Sequence, residues 1–88
     1  MTVRFKASFA ADLRALKDKP LLGRVKTLIA KVESADSLLE IPNLKRLRGF
    51  GAYYRVRLGD YRVGLAVEED VVVFVRVLHR REVYRYFP

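Results

Sequence analysis

The sequence has no cysteine, a single histidine, and no apolar run approaching the roughly 18 residues that cross a bilayer as a helix. Without cysteine there is neither a disulfide framework nor a thiolate metal site, so stability falls to a hydrophobic core drawn from the 51% of residues that are apolar. A reducing compartment suits such a chain. Met1 to Lys6 lack the long apolar centre of a secretory signal, and the expectation is a soluble, cytoplasmic protein with no membrane partner. Also missing are a glycine-rich phosphate loop, a cluster of metal-ligating side chains and a Ser-His-Asp arrangement. No metal and no cofactor is expected.

Acidic residues are scarce too. There are 10 against 18 basic ones, for a net charge of +8 and a pI near 10.2, which points to an acidic partner, most commonly nucleic acid. The charge is unevenly spread. Residues 44–62 carry Lys45, Arg46, Arg48, Arg55, Arg57 and Arg62 against Asp60 alone, and residues 76–88 carry Arg76, Arg80, Arg81 and Arg85 against Glu82. Those two segments supply a charge equal to the whole net +8, because the remainder of the chain cancels.

At 88 residues the chain makes one domain, residues 1–88, and a domain of this size buries only roughly 60 to 65% of the surface its unfolded chain exposes. Residues 2–7 alternate, with Val3 and Phe5 on one side and Arg4 and Lys6 on the other, as in a short strand. Ser8 is placed to cap a first helix bearing Phe9, Leu13 and Leu16, which Lys19-Pro20 ends. Pro20 opens a second helix whose stripe is Leu21, Leu22, Val25, Leu28, Ile29 and Val32. The short connection implies an antiparallel helix hairpin packed on a sheet. Ser34 to Asn43 reads as a loop with a helical turn at Ser37 to Glu40, followed by a basic loop from Leu44 to Gly51. Three strands follow, at about 53–58, 61–67 and 71–78, in an antiparallel meander. The fold class is α+β.

Gly59-Asp60 is a two-residue turn signal, so Leu58 pairs with Tyr61, Arg57 with Arg62, Arg55 with Gly64 and Tyr53 with Ala66. Like charges directly opposed cost a sheet a few tenths to ~1 kcal/mol. Stability alone has no use for Arg57 facing Arg62; a bound polyanion does. For the next hairpin, a three-residue loop, Glu68-Glu69-Asp70, pairs Val67 with Val71 and sets Tyr61, Val63, Leu65 and Val67 on one apolar face with Val71, Val73, Val75 and Val77. A two-residue loop would turn Arg76 inward, where an unpaired charge costs several kcal/mol. The odd loop instead sets Arg76 opposite Arg62, and the small neighbours Gly64 and Ala66 leave room for a ligand above the sheet.

The order of elements, together with Leu47-Arg-Gly, Tyr54-Arg-Val-Arg-Leu, Gly59-Asp-Tyr-Arg-Val and Val77-Leu-His-Arg-Arg-Glu-Val-Tyr84, resembles the RelE/ParE superfamily of type II toxin-antitoxin toxins over essentially the whole chain. Within it the chain looks like the RelE-like mRNA interferases. That resemblance implies a metal-independent, ribosome-dependent endoribonuclease, which cuts mRNA in the A site of the 70S ribosome by attack of a ribose 2′-OH on the adjacent phosphate. It further implies a cognate antitoxin, whose acidic amphipathic segment covers the basic face and the helix hairpin. Arg62 then matches the phosphate-stabilising arginine, Arg55 and Arg57 two basic positions often held by lysine, Arg80 a tail arginine assisting the leaving group, and Tyr84 a tail tyrosine that orients or stacks the nucleotide. Lys45, Arg46, Arg48, Arg76, Arg81, Arg85 and Tyr86 complete the expected RNA-binding set.

The chain departs from relatives that carry lysines there. Arginine is effectively never deprotonated in a protein, so Arg55 and Arg57 do not serve as a base. Residues 44–58 contain no acid at all. His79 is then first choice for proton transfer, with Tyr84 or Tyr86 second and Glu82 third. Each of these residues has a plainer reading: solvated surface for the arginines, a structural histidine for His79, packing for Tyr53, Tyr54 and Tyr61. A ParE-like inhibitor of DNA gyrase without ribonuclease activity is the alternative function, and a non-catalytic RNA-binding domain the third. The resemblance ties Arg62, Arg80 and Tyr84 to the ribonuclease members.

Overall fold

The computed structural model describes residues 1–49 and 51–88; Phe50, which belongs to the expected basic loop, lies outside them. The chain runs β1 (Thr2–Phe5), α1 (Ala7–Ala15), α2 (Lys19–Ser34), a 3-10 turn (Leu38–Glu40), β2 (Leu44–Arg46), β3 (Tyr53–Leu58), β4 (Tyr61–Glu68), β5 (Val71–His79) and α3 (Arg80–Tyr86). The five strands form one sheet in the order β1-β5-β4-β3-β2, with β1 parallel to β5 and the other pairs antiparallel. This is the expected α+β class.

α2 forms where its apolar spacing puts it, whereas α1 ends at Ala15, so Leu16 lies just past the helix and not on it. Asp18 accepts a hydrogen bond from the Leu21 N–H at 3.0 Å and caps α2, whose Leu21, Val25, Leu28 and Val32 are buried. Ser37 and Glu40 form a reciprocal capping box around the 3-10 turn. The expected Ser8 cap is not formed. Lys6 occupies the cap position of α1 with no side-chain bond, and the Ser8 hydroxyl instead donates to the Val75 carbonyl at 2.6 Å. β1 covers β5 only as far as Phe74, so the edge beyond it would be bare. α1 supplies the missing partners there: Ser8 takes the Val75 carbonyl, and Asp12 accepts from the Val77 N–H at 3.0 Å.

The main core lies between the helices and one sheet face, and gathers Phe9, the α2 stripe, Ile41, Val56, Val63, Leu65, Val72, Phe74 and Val77. The Gly59-Asp60 hairpin has the expected register in every pair, and Gly59 takes the left-handed φ of 59° that this turn requires. The second hairpin differs. Its turn is the two residues Glu69-Asp70, with Glu69 at φ 51°, so Val67 pairs with Val72 and Leu65 with Phe74. A bulge then inserts Val75, and from Arg76 onward the parity is restored: Gly64 faces Arg76, and Val63 faces Val77. The inward residues of β5 are therefore Val72, Phe74 and Val77, not the odd-numbered valines throughout. The bulge keeps Arg76 off the core face, but it places Arg76 opposite Gly64 rather than Arg62.

Two segments expected as loop and tail carry regular structure. Leu44–Arg46 is an edge strand against β3, with Lys45 facing Arg55. The tail forms α3, whose Val83, together with Phe87 just beyond it, is buried outside the main core cluster.

Candidate functional site

Strand register gathers the cations on the sheet face opposite the main core. Lys45, Arg55, Gly64 and Arg76 occupy one cross-strand row; Arg57, Arg62 and Leu78 occupy the row two residues along. The space expected above Gly64 and Ala66 is filled. A Cβ on Gly64 would lie 2.7 Å from Phe87 ring carbons, and Tyr53 meets the same ring edge-on at 5.6 Å between centroids. A glycine inside a strand here marks the close approach of another part of the chain.

With that space taken, the opening lies to one side, toward β2. Lys45, Arg55, Arg57, Arg62 and Tyr84 line an open cleft of about 380 Å³, together with Asn43 and Leu44. Among the described residues no carboxylate lines it. A second opening, of about 600 Å³, shares Lys45, Arg55 and Tyr84 with the first and continues along Leu47, Arg48, Phe87 and Pro88. Asn43, which the sequence reading passed over, takes φ 62° and accepts a hydrogen bond from the Arg57 N–H at 3.3 Å, at the point where the edge strand begins.

Tyr84 is 78% exposed, with the Arg55 guanidinium over its ring at 4.8 Å from the centroid. Arg55, by hydrogen bonding and then by its charge, holds the Tyr84 phenol below the ordinary tyrosine pKa; desolvation opposes this, and the charges of Lys45 and Arg62 add to it.

Arg62 is half-buried, and its Nη1 donates to the Gly59 carbonyl at 2.8 Å and the Tyr61 carbonyl at 2.9 Å. The same turn receives the start of α3. The Arg80 N–H donates to the Asp60 carbonyl at 2.8 Å, and the Arg80 Nε lies 3.9 Å from Asp60 Oδ1 in an exposed pair. One turn thus fixes the origins of Arg62 and Arg80.

Other expected site residues lie elsewhere. His79 pairs with Tyr61, with the rings edge to face at 5.3 Å, and its Nδ1 accepts the Arg81 N–H at 3.1 Å as the cap of α3. It lines neither cleft. Arg76 is held by Asp12 through Nε at 2.8 Å and Nη2 at 3.0 Å, which raises its pKa above the ordinary value, and it lies beside the Tyr86 ring at 5.9 Å. It ties α1 to α3 across the edge of β5. Arg81 and Arg85 are exposed on α3 and line neither cleft, whereas Arg46 and Arg48 border the second. Asp12 itself was missed: an acid on a helix stripe beside Phe9 and Leu13 gives no sign that a sheet edge needs an acceptor.

Comparison with known proteins bears on this geometry. The family described as ParE toxin of the type II toxin-antitoxin system, parDE, matches residues 3–84. Toxin RelE3 of Methanocaldococcus jannaschii is 37% identical over 89 residues, covering 100% of both chains. Among solved structures, a RelB-RelE antitoxin-toxin complex from Methanococcus jannaschii superposes with a TM-score of 0.84 at 35% identity, covering 97% of this chain and 99% of that one. An archaeal RelE-RelB complex from Pyrococcus horikoshii gives a TM-score of 0.72 at 26% identity over 90% of this chain and 93% of the other. Among the described residues, no helix is long and apolar enough to cross a membrane.

Proposed function

Because the chain belongs to the ParE toxin family of type II toxin-antitoxin systems, as a RelE-like toxin, we propose that it is a ribosome-dependent endoribonuclease cleaving mRNA in the A site and neutralised by a cognate antitoxin. One observation carries this reading: four cations, Lys45, Arg55, Arg57 and Arg62, share an open cleft with the exposed Tyr84 and no carboxylate.

The chemistry asks for such a cleft. The ribose 2′-oxygen attacks the adjacent phosphorus, loses its proton and forms a 2′,3′-cyclic phosphate, while the 5′-oxygen leaves and takes up a proton. The pentacoordinate transition state bears extra negative charge on its equatorial oxygens. Guanidinium donors already fixed around that position stabilise it more than they stabilise the ground state. In this reading Arg57 and Arg62 hold the phosphate oxygens, and Arg55 orients Tyr84. Arg80 lines neither cleft and lies beside Asp60 at the Gly59-Asp60 turn, and it is assigned the leaving side on the resemblance to the family. Tyr84, not His79, serves in proton transfer, since its phenol lies in the cleft with a lowered pKa while the His79 Nδ1 is engaged as a helix cap. Arg46, with Lys45, takes the neighbouring backbone, and relatives crystallised with RelB antitoxins support an antitoxin partner here.

The family's description as a ParE toxin also favours a second reading, a gyrase inhibitor. Purified protein added to ribosomes paused on a defined mRNA, with 5′ ends mapped, separates the two. The ribonuclease reading expects a cut in the A-site codon and unaltered gyrase supercoiling. Absence of the cut, with supercoiling lost, overturns it.

A further inference from the structure

The cleft that carries the phosphate chemistry opens into a second one of different character. The first is lined by four cations with Asn43, Leu44 and Tyr84. The second, of about 600 Å³, has Lys45, Arg46, Arg48, Arg55 and Tyr84 along its border and adds the apolar side chains of Leu47, Phe87 and Pro88. Phe87 is only 5% exposed, seated against Gly64, so it forms a rigid apolar floor rather than a mobile flap. Leu47 is half-buried, its N–H donating to the Tyr53 carbonyl at 2.9 Å, and this fixes the wall. Arg48 stands exposed at the rim.

An apolar floor bordered by cations suits a base attached to a phosphate better than it suits a bare phosphate. We infer that this second cleft holds the base of the nucleotide next to the scissile phosphate, with Leu47, Phe87 and Pro88 against its faces and Arg48 at its edge. Arg48 is thereby a specificity-determining residue, because a guanidinium reads the acceptor pattern of a base edge. The inference rests on the ribonuclease reading. It adds that Leu47 and Arg48 bind the base, in contrast to Arg62, which binds the phosphate.

The test is fluorescence anisotropy with a labelled 2′-O-methyl RNA trinucleotide, which resists cleavage, either intact or lacking one base. Removing the base that occupies the cleft weakens binding at least about fivefold, the low end of what one stacked base contributes. In Leu47→Ala and in the surface variant Arg48→Ala, the intact and abasic trinucleotides bind more nearly alike. Arg62→Ala weakens both while leaving their ratio as in the wild type. If no base deletion matters, or if neither Leu47→Ala nor Arg48→Ala changes the ratio, the base site is overturned while weakened binding by Arg62→Ala still supports the phosphate cleft. Undiminished binding by Arg62→Ala overturns the ribonuclease reading beneath it.

Discussion

Phe87 is seated directly on Gly64: a Cβ added to that glycine would lie 2.7 Å from the ring carbons. A strand glycine in the middle of the cationic face is thus the socket for the C-terminal segment, and α3 carries Tyr84 to the cleft from there. Gly64→Ala forces the ring or the strand to move, with an expected cost of about 1–3 kcal/mol in urea denaturation. Amide exchange across α3 should speed up with it. A variant as stable as the wild type, with α3 equally protected, would contradict the contact.

Arg57 and Arg62 oppose each other across β3 and β4. Replacing one charge removes the repulsion, so Arg57→Gln is expected to raise stability by a few tenths to ~1 kcal/mol. The same change weakens RNA binding. Thermal melting with and without RNA reads both effects. A destabilised variant would show that the pair is tolerated for a structural reason.

Asp12 satisfies the Arg76 guanidinium and the Val77 N–H together. Side-chain exposures of 25% and 14% leave the pair partly screened, so Asp12→Ala is expected to cost about 1–3 kcal/mol, most of it from the unmet groups at the β5 edge. The midpoint of chemical denaturation measures this. A cost within ~0.5 kcal/mol, the range of ordinary surface changes, would mean that water replaces the carboxylate.

The phenol of Tyr84 ionises at lower pH than an ordinary tyrosine, chiefly because of Arg55. Arg55→Gln should return its titration toward the ordinary value, followed by the ring resonances of labelled tyrosine in NMR. The linkage has a definite sign. A folded-state pKa below the unfolded one gives stability that is full above the ordinary tyrosine range and is lost as pH falls through the lowered value. If Tyr84 titrates identically in both proteins, Arg55 does not govern it.

How far the sequence disclosed this arrangement depends on whether the signal was local. Gly59-Asp60 and the alternation on either side fixed the first hairpin residue by residue, since the turn type sets the register. The second hairpin has no such turn signal: Glu69 adopts a left-handed φ without being glycine, and the bulge at Val75 has no mark in a run of valines. Arg76 stays off the core face, as the cost of burying it requires, but it faces Gly64 and not the expected Arg62. Three residues of edge strand at Leu44–Arg46 are too few to show a period. The parallel pairing of β1 with β5 depends on contacts across the whole chain. Of the cleft, Arg55, Arg57 and Arg62 were legible from register. Lys45 was legible only as a basic residue, because its place opposite Arg55 needed β2. The seat for the C-terminal segment had a readable trace: Gly64 inside a strand, and Val83 and Phe87 four residues apart.

The central claim is that the cationic cleft stabilises a phosphoryl transition state. Single-turnover cleavage of mRNA held on ribosomes, comparing the wild type with Arg62→Ala, tests it most directly. The prediction is a folded variant whose rate falls by roughly 10²–10³-fold, the usual loss when one preorganised donor to a developing oxyanion is removed. A folded Arg62→Ala protein that cuts at the wild-type rate would contradict it.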